Sequence, residues 1–299
     1  GVEIVGNDLR DFAQTGANGP IPIEPTCVTN IRIANNTIEN IRVVWAGETP
    51  VGVLVASSNT LITGNRILGW ANSAVSGAGV SITAVTGSNL SVIGNSLSGN
   101  TFGVLTATGA AADLIKIGDN TFVSNVDAAI STTNSERVSI TGNTINQTDA
   151  GSNGILVTNS TDVDIIGNRV FGNDVALIGI TVTGADTSAN RVRRFTIGNN
   201  NIRAVADSGI LLDGYVQNGT VTGNQIDCGL AVGDPTAAAC IYLSSVGTDL
   251  VQHVTVSDNV CWRAASGILA YGDGPVNMLQ DVVIHGNTIH HCALGTGAG

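Results

Sequence analysis

Eleven times along its 299 residues the sequence returns, with small departures, to one phrase: apolar, any, apolar, any, Gly/Asn/Asp, Asn, any, apolar. It reads VEIVGNDL at 2–9, IRIANNTI at 31–38, VSITGNTI at 138–145, VDIIGNRV at 163–170 and VVIHGNTI at 282–289. The anchoring asparagines are Asn7, Asn36, Asn65, Asn95, Asn120, Asn143, Asn168, Asn200, Asn224, Asn259 and Asn287, spaced 23 to 35 residues apart. A period in that range marks a chain built of stacked units, none of which buries its apolar face alone.

A second phrase precedes most anchors: Gly52-Val-Leu-Val55, Gly103-Val-Leu-Thr106, Gly154-Ile-Leu-Val157, Gly209-Ile-Leu-Leu212 and Gly267-Ile-Leu-Ala270. Both phrases alternate with period two, so each predicts a strand with one face inward. The Gly-Asn step between strands supplies a residue tolerant of left-handed backbone angles, which a tight corner demands. Each coil therefore has three short strands: a Gly-Ile strand, a pre-Asn strand and a post-Asn strand. Stacking places like above like, with an inward column through Ile33, Ile62, Val92, Ile117, Ile140 and Ile165. The anchoring asparagines are expected to form a ladder of side-chain amides.

This repeat resembles the right-handed parallel β-helix of the pectate-lyase-like superfamily, nearest in character to bacteriophage tailspike and tail-fibre domains. The expected fold is all-β: about eleven coils, three parallel sheets and an Asn ladder, with residues 1–299 forming one domain. The resemblance covers essentially the whole chain and is specific for fold but nearly silent on activity, because one scaffold hosts many chemistries. Gly1–Ile4 already lies inside a repeat, no initiator Met or signal peptide opens the chain, and Ala293-Leu294-Gly295 resembles another Gly-Ile strand. The chain is accordingly expected to be a piece of a longer or processed polypeptide.

Charge narrows the partners. With 12 Lys and Arg against 23 Asp and Glu, the net charge is −11, and Lys116 is the single lysine. Nucleic-acid binding needs concentrated cationic side chains, so that class is excluded. No apolar run reaches the ~18 residues of a membrane span. The five cysteines, Cys27, Cys228, Cys240, Cys261 and Cys292, lack paired metal-ligand spacing. Buried thiols are the leading expectation for them, with bridges Cys228–Cys240 or Cys261–Cys292 as alternatives, and redox compartment stays open. His285 and His290 fall on different strands, and neither a metal nor another cofactor is expected.

In polysaccharide-active members of the superfamily the substrate groove commonly follows the first sheet, which points here to the Gly-Ile strands. Two outward columns can be read by parity: Leu54, Ser81, Leu105, Ser131, Leu156, Thr181, Leu211, Tyr242, Leu269, and Ala56, Thr83, Ala107, Thr133, Thr158, Thr183, Asp213, Ser244, Tyr271. One charge stands among these eighteen positions. An apolar stripe of this length calls for cover, by the long insertions (11–29, 43–50, 184–194, 228–240, 272–281) or by neighbouring copies in a homotrimer through this sheet.

The last coils differ. Asp213 and Asp273, then Asp207 and Asp234, are the carboxylates to test as a catalytic pair, since glycoside hydrolysis normally uses two. Tyr215, Tyr242 and Tyr271 are the candidate sugar-stacking residues. The competing explanation is turn chemistry, because Asp213-Gly214, Asp273-Gly274 and Asp234-Pro235 are turn dipeptides. The Arg191-Val-Arg193-Arg194 cluster, a candidate carboxylate clamp, and Trp45, Trp70 and Trp262, candidate sugar-stacking rings, have similar bland explanations as a solvated turn and as loop plugs. The Asp-Pro-His-Glu motif of the epimerases and the Asn-Thr-Asp, Gly-His-Gly and Arg-Ile-Lys motifs of the polygalacturonases are missing, so no catalytic residue carries over. Three functions stay open: a virion tailspike or fibre domain that recognises, and in one version degrades, a bacterial surface polysaccharide; a secreted lyase or glycoside hydrolase; and a non-catalytic adhesin or stalk. All three place the chain outside the cell or on a virion surface.

Overall fold

A strand corner that turns inside one or two residues needs a left-handed backbone angle, and this chain supplies one at every coil. The residue before each ladder asparagine has positive φ in all eleven cases: Gly at seven, Asn35 and Asn199, Asp119 and Asp258. Only Gly, Asn and Asp accept that conformation at small cost. The computed structural model describes residues 1–11, 20–25, 29–40, 50–71, 77–83, 89–106, 112–147, 152–175, 178–185, 191–205, 207–229, 239–246, 249–273 and 279–292. Cys27, Trp45, Ala107, Asp234 and the continuation at 293–295 lie outside them, as do most residues of the long insertions.

The strands stack into three parallel sheets. Among the described residues the pre-Asn sheet has twelve strands, the post-Asn sheet eleven and the Gly-Ile sheet nine. The class is the one expected, a parallel β-helix with three sheets. All regular elements among the described residues are strands, and no helix is long and apolar enough to cross a membrane.

The core is the set of inward columns. Ile33, Ile62, Val92, Ile117, Ile140, Ile165 and Ile197 pair in register down the pre-Asn sheet, each at most 1% exposed. Burying each such side chain contributes about 1.5–3 kcal/mol. Size complementarity sets the packing within a coil. A Cβ added at Gly52, Gly103, Gly154, Gly179, Gly209 or Gly267 would press on Ile67, Phe122, Val170, Ile202, Ile226 or Ile289 of the post-Asn sheet. In one coil the pattern inverts: Cys240 takes the glycine's place and Cys261 the bulky residue's place.

That exchange gathers thiols. Cys240 Sγ lies 3.9 Å from Cys228 Sγ, and Cys261 and Cys292 also act on its thiol. Cys228, Cys240 and Cys261 are buried, Cys292 is half-buried, and all four are free. The contacts with Cys228, Cys261 and Cys292, together with burial, push the Cys240 thiol far up. The Cys240 hydrogen bond, against burial and with help from the Ala264 backbone and His291, brings Cys292 down to about 6.

The asparagine ladder is continuous from Asn7 to Asn287. At Asn143, for example, the backbone N–H and Nδ2 both donate to Asn168 Oδ1 at 3.0 Å, and Nδ2 also donates to Ile117 O at 2.9 Å. Its own Oδ1 receives the same pair of bonds from Asn120. A second, shorter ladder follows the post-Asn strands, from Asn100 to Asn125 at 3.0 Å and from the Asn125 N–H to Gln147 Oε1 at 2.9 Å.

Candidate functional site

The Gly-Ile sheet keeps one register through all nine strands. Leu54, Ser81, Leu105, Ser131, Leu156, Thr181, Leu211, Tyr242 and Leu269 pair in succession. Beside them Thr133, Thr158, Thr183, Asp213, Ser244 and Tyr271 do the same. Eight strand spacings of ~4.8 Å make a straight track of about 38 Å parallel to the solenoid axis. One position of the track carries a charge, Asp213.

The stripe is less exposed than its sequence implies. Leu54, Leu105, Leu156 and Leu211 are half-buried, and the small residues between them, Ser81, Ser131 and Thr181, are 4–7% exposed. A side chain of two or three heavy atoms flanked by leucines at ~4.8 Å on both sides is shaded by them. Leu269 is 38% and Tyr271 46% exposed, and the inward-facing Ala270 is exposed with them, because they lie on the last described strand of the sheet.

The predicted site residues separate into groups. Tyr242, Leu269 and Tyr271 come together as neighbours on the last two strands. Asp213 lies one strand further back, in line with Ser244 and Tyr271 and half-buried. Asp273 pairs with Val246, two residues beyond Tyr271. Two strand spacings and two residues separate it from Asp213, about 12 Å between Cα atoms; glycosidase pairs stand about 5–9.5 Å apart at their carboxyl groups. Asp207 is exposed at the entry to the strand whose exit carries Asp213, and accepts a bond from Ser208 Oγ at 3.3 Å. Tyr215 is buried at the following corner, with the Arg191 guanidinium 4.8 Å above its ring.

Neighbouring features find local partners. Arg194 of the basic cluster bonds Asp162 through Nη2 at 2.8 Å; that hydrogen bond, against slight burial and with the charges of Arg194 and Arg137, holds Asp162 below the usual carboxylate range. Trp70 is fully buried under Gly52. His253 meets Asp281 at 3.0 Å. Among the described residues no three His, Cys, Asp or Glu side chains converge as metal ligands.

One track residue escaped the sequence reading. Asn153 opens its strand in register with Ala128 and Ile178, and its Oδ1 accepts from Thr181 Oγ1 at 2.7 Å. The residues at that position on the preceding strands and the next one, Val51, Ala78, Phe102, Ala128 and Ile178, are apolar, while Ser266, further along, is polar again. A polar residue breaking an apolar column was the signal available.

Residues 2–145 and 153–299 match the family described as right handed beta helix region. No curated protein sequence matches this one significantly. Among solved structures, the periplasmic alginate epimerase AlgG superposes with a TM-score of 0.59 at 14% identity, covering 87% of this chain and 69% of the epimerase. The Dettilon tailspike protein gives 0.54 at 16% identity, covering 94% and 61%. PfbA, a surface adhesin of Streptococcus pneumoniae, gives 0.54 at 13% identity, covering 96% and 69%. At these identities the likeness is one of fold.

Proposed function

This chain belongs to the right-handed β-helix family, and from that premise we propose that it recognises a long, linear, neutral polysaccharide laid along the Gly-Ile sheet. The observation that carries this reading is the unbroken register of the track from Leu54 to Leu269. A straight row of leucines and hydroxyls, ending on Tyr242 and Tyr271, suits a polymer that alternates apolar ring faces with hydroxyl groups. The absence of basic residues among the track positions favours an uncharged chain over a polyanionic one. A tailspike, a surface adhesin and a polysaccharide epimerase share this scaffold, which supports a surface or extracellular setting, with a virion spike as the specific reading.

In the version of this reading in which the bound chain is also degraded, the carboxylates assigned to cleavage are Asp213 and Asp273, with Asp207 and Asp234 next, although Asp213 and Asp273 stand further apart than a glycosidase pair. Release of reducing ends that survives Asp213→Asn combined with Asp273→Asn removes the assignment. Recognition is tested at Tyr271, whose exposure makes its replacement nearly neutral for folding. Tyr271→Ala is expected to weaken binding of neutral polysaccharide at least ten-fold in calorimetry, with Tm unchanged; unchanged affinity would refute the track. Light scattering on the same samples separates this reading from a homotrimer sealed through the Gly-Ile sheet, which would leave the track closed to ligand.

A further inference from the structure

A different face of the solenoid, the outer surface of the post-Asn sheet, carries a second constellation in its last coils. The register there aligns Asn201 with Gln225, and Arg203 with Asp227, Trp262 and His290. Between the two rows lies a hollow of about 300 Å³ lined by Asn201, Arg203, Gln225, Asp227, Trp262 and Arg263, among others. That is the lower end of the size range of small-molecule sites. Trp262 is half-buried and nearly parallel to the His290 ring, 13° apart with centroids at 6.2 Å.

The charges of the hollow do not cancel. Asp227 is taken by Arg263, which reaches it through Nε at 2.7 Å and Nη2 at 2.5 Å, and it also accepts from the Gly229 N–H at 3.2 Å. Burial opposes its ionisation, but the Arg263 hydrogen bond, the Gly229 N–H and the charges of Arg263 and Arg203 outweigh it, keeping Asp227 below the usual range and ionised. Arg203 is held by Asn201 Oδ1 at 2.9 Å through Nε and forms no ion pair among the described residues. Two guanidinium groups against one carboxylate leave the hollow with one surplus positive charge, on a chain whose net charge is −11. A steadied guanidinium with free terminal N–H groups is suited to a carboxylate, and an indole beside it to the apolar face of a sugar ring.

We propose that this hollow is a binding site for a pyranose bearing a carboxylate, with Trp262 as the platform, Arg203 holding the carboxylate and the Asn201 and Gln225 amides meeting ring hydroxyls. It is distinct from the neutral-polysaccharide track, because it lies on another sheet and selects the opposite charge character.

The test is calorimetric titration of the whole chain with trigalacturonate and sialyllactose, against the neutral controls cellotriose and lactose. At least one carboxylated sugar is expected to bind at least ten-fold tighter than its neutral control, and the preference to shrink as salt is raised. Arg203→Gln, an exposed change that leaves the fold intact, should abolish the preference. Trp262→Ala should lose binding and Trp262→Phe should restore most of it, which separates a lost platform from a damaged fold. Tyr271→Ala should leave this binding unchanged, so failure of the track and failure of the hollow read differently. Equal affinity for charged and neutral sugars, or a preference that survives Arg203→Gln, would overturn the proposal.

Discussion

Replacing Asn143 with alanine is expected to destabilise the solenoid by about 3–5 kcal/mol. The side chain is fully buried and takes part in bonds to Asn120, Asn168 and Ile117. Truncation removes those and strands the buried Asn120 backbone N–H, which costs about 1–3 kcal/mol when unpaired, on top of about 0.5–1.5 kcal/mol for each other bond lost. Asn7, at the exposed end of the same ladder, only donates its bonds, to Asn36. Asn7→Ala should therefore cost below about 1.5 kcal/mol. Urea unfolding of the two variants beside the parent chain checks the contrast. Equal effects at the two positions would mean that the asparagines act one by one at their own corners rather than as a stack.

Gly219→Val should cost about 3 kcal/mol or more, and most of that should return when Phe195→Val is added. Both residues lie in one inward column, Val138, Val163, Phe195, Gly219, Val254. The Phe195 ring occupies the space a Gly219 side chain would need, and a Cβ there would overlap the ring. Phe195→Val alone leaves a void worth about 2–3 kcal/mol. The double variant makes the stretch from Val138 to Val254 all valine, and valine favours the strand backbone. It should fall within about 1.5 kcal/mol of the parent, giving a favourable coupling of about 3.5 kcal/mol or more in a double-mutant cycle. Additive costs would show that ring and glycine do not share a space.

These columns explain what was legible in the sequence. A solenoid with constant register converts position in the phrase directly into position in space. The ladder, the inward isoleucines and the outward track from Leu54 to Leu269 could therefore all be read before any coordinate. The corner chemistry was equally plain, since a left-handed residue must precede each ladder asparagine and only Gly, Asn or Asp occupies that place. The Asn100–Asn125–Gln147 ladder was not, because it spans three coils and changes residue type at its end. The half-burial of the leucines depends on what flanks each one, which a column read by type does not show.

The site was legible only in part. Tyr242 and Tyr271 meet because they share the repeat's register, but Tyr215 sits past the strand end, where the corner turns it under Arg191. The Trp262 hollow assembles residues from three coils with no type in common, Arg203, Asp227 and Trp262. No periodicity announces it. The separation of Asp213 from Asp273 follows from a two-residue offset that turn dipeptides conceal.

The most direct test of a polymer track is length. Titrating neutral polysaccharide fragments of increasing size into the parent chain should show affinity climbing until a fragment spans about 38 Å, eight strand spacings, and levelling beyond. Leu156→Asp, which places a charge at the midpoint, should stop that climb at about half the length. Affinity that is already complete with a disaccharide, or a length dependence untouched by Leu156→Asp, would contradict the account.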